Sequence, residues 1–172
     1  MKISLGNSKV VAYHGGNGFA DNFDLKFSGT GEGYRILGPG IYFVNNKYIA
    51  TKYTQHAHTN PTVYTVEIDT TNFYIAGKKQ SDAIFAAFDK IAVEIGLKSW
   101  EDFKMPRNSL KNGRGSIGFV VEQVGHKRAL ELFQKYGIKG AMEHIIPEED
   151  VWEYCVFDLA AVKIIDRQLH TI

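Results

Sequence analysis

Glycine is unevenly placed along this chain. Of 17 glycines in 172 residues, nine fall in the first 40 and none lies between Ile41 and Ala76. Glycine serves where a backbone must take a positive φ or approach another group closely. The first quarter of the chain is therefore either loose or built around a ligand, and regular structure should begin where the glycines stop. The length suits one domain spanning residues 1–172, with enough chain to bury about two-thirds of its unfolded surface. Apolar residues at 44% and charged residues at 23% are those of a soluble globular protein. Lys plus Arg number 20 and Asp plus Glu 19, which excludes a polyelectrolyte but leaves room for a local basic patch. Cys155 stands alone, excluding a disulfide framework and any multi-cysteine zinc site, as suits a reducing compartment.

The start, MKISLGNSKV, lacks the apolar core of a secretory signal, and the longest aliphatic and aromatic run, residues 83–88, is far short of a membrane span. The expectation is a cytoplasmic protein, or one delivered into a target cell's cytoplasm. Hydrophobic periodicity predicts a strand over 9–13 ending in His-Gly-Gly and a short helical turn within 17–27 around Phe19, Phe23, Leu25 and Phe27. A loop over 28–40 leads to a strand over 41–44. Asn45 or Asn46 should cap a helix to about His56, and a strand follows over 62–69. Ser81 should open a helix to about Ile95, with Ile84, Phe85, Phe88 and Ile91 on its apolar stripe. Residues 101–115 read as irregular. Helices from about 116 and over 126–136 are separated by Gly125 and closed by Gly137. Strands over 138–144, 152–158 and 162–165 end the chain. Strands at both ends with helices inserted between them predict an α+β fold with a largely antiparallel or mixed sheet.

Several signals are weak. Residues 113–118 match G-x-G-x-x-G, but no strand precedes them, so a loop opening a helix is favoured over a dinucleotide fingerprint. His56 and His58 lack two further ligands, and no metal is expected. Lys104, Arg107, Lys111 and Arg114 fall within eleven residues without an acid. A solvated loop is the simpler account; a patch for phosphate or nucleic acid is the functional one.

Three separated segments carry chemistry together. Tyr13-His14-Gly15-Gly16 ends a strand. Gly38-Pro-Gly-Ile-Tyr-Phe43 leads through a second strand to a helix bearing Tyr53. Trp152-Glu153-Tyr-Cys-Val-Phe-Asp158 is a strand with one carboxylate near its start. With these motifs in this order, and eleven residues between Tyr42 and Tyr53, the chain resembles the ADP-ribosyltransferases of the diphtheria-toxin and poly(ADP-ribose) polymerase type, marked by a His-Tyr-Glu triad. The resemblance implies the ADP-ribosyltransferase fold, whose sheets form a split NAD-binding cleft, and a small stand-alone toxin or effector.

It also implies roles. Glu153, His14 and Tyr42 are the catalytic candidates. Glu153 would hold the nicotinamide ribose and face the positive charge that develops there. Tyr42 and Tyr53 would flank the nicotinamide ring, Gly15 would bind its amide through the backbone, and His14 would bind the adenosine ribose. Gly38 and Gly40 would shape the approach to the tyrosine strand, and Gly29, Gly31 and Gly33 would form a loop over the donor. Many relatives carry a serine where this chain has Ala50; the contact would weaken or pass to Thr51. Val151 stands where arginine-modifying relatives carry the first glutamate of E-x-E, which disfavours arginine as acceptor. The expectation is mono-ADP-ribosyl transfer from NAD+ to a protein or nucleic acid, the latter through Lys104, Arg107, Lys111 and Arg114, with an antitoxin or immunity protein as a further partner. NAD+ glycohydrolysis and non-catalytic binding of NAD+ or ADP-ribose are the alternatives.

Overall fold

The computed structural model describes residues 8–18, 22–28 and 35–170. Their architecture is α+β, with seven strands in one mixed sheet and five helices. The strands are β1 (Lys9–Asn17), β2 (Ile41–Val44), β3 (Pro61–Asp69), β4 (Phe73–Ile75), β5 (Gly140–Ile146), β6 (Val151–Val156) and β7 (Val162–Leu169). The helices are α1 (Lys47–Tyr53), α2 (Asp82–Glu94), α3 (Ser109–Asn112), α4 (Gly115–Val124) and α5 (His126–Lys135). The order across the sheet is β4-β5-β6-β2-β1-β3-β7, and among these pairs only β4 with β5 is parallel.

Local chemistry sets the helix starts. The Asn46 side chain accepts the Ile49 N–H at 3.1 Å and caps α1, and Ser81 does the same for Ile84 at 3.3 Å and caps α2. Gly125 separates α4 from α5 at φ 81°, a conformation that side chains other than glycine rarely adopt.

Several features depart from the expected elements. β1 runs on through His14-Gly15-Gly16 to Asn17, because β3 pairs with it along its whole length. β4 was absent from the expected strands: three residues are too few for an alternation to show. The segment over 101–115, expected to be irregular, holds the four-residue α3. The expected helical turn is the 3-10 turn Leu25–Phe27; Phe19, Gly29, Gly31 and Gly33 lie outside the described residues.

Each sheet face is covered differently. One face carries Ala12, Tyr64, Val66, Phe43, Tyr154 and Val156 in a single apolar cluster, closed among the described residues by Phe23 and Ala161 and by no α-helix. Over β4, β5, β6 and the start of β2, the opposite face packs beneath α2, α4 and α5, with Phe88, Ile117, Val120, Leu132 and Phe133 in the core. Over Val44 and Val151 it packs beneath α1 through Ala50. β1 and β2 meet at one register position only, Tyr13 with Val44. The sheet is thus nearly split between β2 and β1.

Close approach decides two glycines. A Cβ on Gly15 would overlap the carbonyl oxygen of Ala50, and one on Gly40 the carbonyl oxygen of Val156. Both substitutions to alanine are expected to cost about 2–3 kcal/mol in urea unfolding, as forced overpacking does. Gly96→Ala, at φ 91° with open space around it, should cost only about 1 kcal/mol.

Candidate active site

Between the two helix-covered patches lies an interval that no apolar cluster of the described residues covers. On β5, Ala141 belongs to one patch and Ile145 to the other; on β6, Cys155 and Val151 do the same. The residues between them on the same face are Glu143 and Glu153, which are direct cross-strand neighbours. Two carboxylates so placed stand with Cβ atoms about 5 Å apart and repel one another. Each has one oxygen, Oε2, buried without a hydrogen-bond partner.

Burial, and then the charge of Glu143, push the Glu153 carboxyl up to about 7, while Arg114 pulls the other way. Burial also raises Glu143, opposed by Arg114, whose guanidinium pairs with Glu143 Oε1. Arg114 reaches this point because it is the residue that opens α4, and the start of that helix leans on β4: a Cβ on Gly115 would strike the Tyr74 hydroxyl.

Tyr42 is opposite Cys155 on β6, on the Glu153 face. Its hydroxyl donates to the Gly38 carbonyl at 2.9 Å and accepts from the Leu37 N–H at 3.0 Å, so the ring is fixed at both ends. Burial first, with the nearby Cys155 and Glu153 adding to it, raises its phenol well above the usual range. Tyr53, half-exposed at the end of α1, is also raised by burial and by Glu153, so both tyrosines lie near the carboxylate. The Gly38 loop is itself held by the later glycine segment. The Arg114 N–H donates to the Ile36 carbonyl at 3.0 Å, and a Cβ on Gly113 would come 3.2 Å from the Gly38 nitrogen. The G-x-G-x-x-G match thus follows a short helix rather than a strand, and it docks against a second loop.

His14 Nδ1 lies 2.7 Å from the Tyr42 carbonyl, across the line where β1 and β2 part. A carbonyl only accepts, so Nδ1 carries the proton. Burial lowers the imidazole's pKa, which favours the neutral ring and makes Nε2 an acceptor. A Cβ on Gly16 would stand 3.1 Å from Nε2, so that glycine keeps the approach open. Gly15 is at the same end of β1, and its missing side chain seats α1. Ala50 is buried on the packed side of α1, and the Thr51 hydroxyl donates to the Lys47 carbonyl at 2.8 Å within the helix.

The four cations of 104–114 do not form one patch. Arg114 turns to Glu143, and Arg107 faces Glu122, which also accepts the Asn108 N–H at 2.9 Å. Lys104 and Lys111 are exposed. The acids come from α4 and β5, so no local run of sequence reveals them. Sequence reasoning missed Gly16, Arg114 as a site residue, and Glu143; the expected strand over 138–144 contains Glu143, but nothing in it points to Glu153 as its neighbour. Among the described residues no helix is long and apolar enough to cross a membrane.

A carboxyl held at about 7 keeps, between pH 4.5 and 7, a proton that the unfolded chain has released. The stability this contributes is whole below pH 4.5 and falls as pH rises through 7. Glu153→Gln is therefore expected to stabilise the protein by about 2 kcal/mol at pH 8.5 and hardly at all at pH 4.5, measured by urea unfolding, with the shift discounted for partial exposure. Tyr42→Phe strands the Leu37 N–H and should cost about 1–2 kcal/mol.

No protein-family model matches the chain, and no curated protein matches it.

Proposed function

We propose that the chain is a mono-ADP-ribosyltransferase of the His-Tyr-Glu type, with the corresponding fold, which transfers ADP-ribose from NAD+ to a macromolecular acceptor and releases nicotinamide. One observation carries this reading: Glu153 holds a buried, unpartnered carboxylate oxygen on the sheet face of Tyr42 and within electrostatic reach of Tyr53, next to the line where β1 and β2 part. His14 is tied across that line to the Tyr42 backbone.

The chemistry needs these groups. Breaking the bond between ribose and nicotinamide builds positive charge on the sugar, and a carboxylate in a dry site lowers the energy of that state. Glu153 is placed for this once ionised, and its raised pKa makes ionisation the controlling step. Tyr42, pinned through its hydroxyl, and Tyr53 offer faces for a flat ring. The backbone at Gly15 offers an N–H and a carbonyl to the amide; Thr51, bonded within α1, contributes less. Neutral His14 accepts a ribose hydroxyl at Nε2. Gly38 and Gly40 act by shaping the loop and strand that hold Tyr42. A protein or a nucleic acid fits as acceptor, and for the latter Lys104 and Lys111 supply the exposed charge.

The test is release of nicotinamide and transfer of label from NAD+ into a cell lysate, followed by protease or nuclease treatment. Glu153→Gln is expected to lower turnover by about 10²–10³-fold. In wild type, kcat/KM should rise with pH to a plateau above about 7, as Glu153 ionises. Nicotinamide release with no labelled macromolecule would make the protein a glycohydrolase, and binding without turnover a binding module.

A further inference from the structure

The carboxylate beside Glu153 has no part in holding the donor as described above. Glu143 is its cross-strand neighbour on the same face. Its two oxygens differ: Oε1 is paired with Arg114, and Oε2 is buried without a partner. The Glu143 side chain is 13% exposed and the Arg114 side chain 48%, so the ion pair spans the boundary between the covered face and solvent. Burial raises the Glu143 carboxyl, and the guanidinium opposes it by favouring the charged form, as an adjacent cation does. Glu143 is thus a carboxylate with one oxygen anchored and one lone-pair-bearing oxygen left beside the candidate reaction centre.

Resting on the donor reading above, we propose that Glu143 is the proton acceptor for the incoming nucleophile, and that the acceptor is a neutral O–H or N–H group rather than a carboxylate or a phosphate. Two carboxylates on one sheet face, only one of them paired with Arg114 among the described residues, repel an anionic acceptor and attract a hydrogen-bond donor. The step balances. The bond from C1′ to the nicotinamide nitrogen breaks, and its electron pair neutralises the pyridinium. The lone pair of the acceptor forms the new bond at C1′. The acceptor's proton passes to Glu143 Oε2. Arg114 is a positioning residue in this scheme: it holds Oε1 and so leaves Oε2 as the base.

Azide separates the roles, because it is a nucleophile with no proton to lose. In Glu143→Ala, nicotinamide release with water as acceptor should fall at least about 30-fold, as loss of a general base does. NAD+ affinity, read by calorimetry, should stay within about twofold, which also reports that the variant is folded. Added azide should restore release to within about fivefold of wild type and give ADP-ribosyl azide, identified by mass. Glu143→Gln, which keeps the shape of the side chain but cannot take up a proton, should show the same loss and be rescued by azide in the same way. A Glu143→Ala protein that binds NAD+ and hydrolyses it at the wild-type rate overturns the role of Glu143, as does a loss that azide does not restore. Wild-type protein that neither binds nor cleaves NAD+ overturns the donor reading, and this role with it.

Discussion

The arrangement depends on how β1 meets β2. Along most of β1 the ladder partner is β3, and on the other side only Tyr13 pairs with Val44. Backbone groups left without a ladder need other partners. The His14 imidazole supplies one, donating from Nδ1 to the Tyr42 carbonyl. That bond joins the two halves of the sheet and at the same time fixes the tautomer of His14, and through it the acceptor character of Nε2. Phe23, Phe43 and Tyr64 surround the ring and keep it neutral. A structural bond and a functional polarity are thus set by one contact.

The second constraint is electrostatic. Placing Glu143 opposite Glu153 on a half-covered sheet face works against stability, because like charges repel and each loses water. The fold answers one of them with Arg114 and leaves the other to hold a proton near neutral pH. A carboxyl shifted by burial and by a charged neighbour, as Glu153 is, is a common mark of functional sites. Arg114 gets there through packing of backbone on backbone: the segments at 35–40 and 113–118 dock on each other, and glycines at the contact let them approach.

Much of this was legible along the chain. β2 and β3, the capped starts of α1 and α2, and the α4 and α5 pair follow from periodicity and caps that act over a few residues. The three segments bearing His14, Tyr42 with Tyr53, and Glu153 stood out by residue type and order. What was hidden involves residues far apart. Gly16 looked like no more than the end of a strand, yet it is paired strand backbone that leaves room beside a histidine ring. Arg114 looked like one of four basic residues in an acid-free run, yet its partner is twenty-nine residues on.

The sequence by itself determined the α+β class, where most of the helices and strands begin, and which residue types were available for chemistry. These rest on local forces: apolar periodicity, side-chain caps, and the φ freedom of glycine. Only the tertiary structure decided that β1 and β2 touch at one point, that Glu143 faces Glu153, and that Arg114 forms its ion pair with the first. Register between strands is fixed by the whole packed face, and a shift of one residue would turn either carboxylate to the other side.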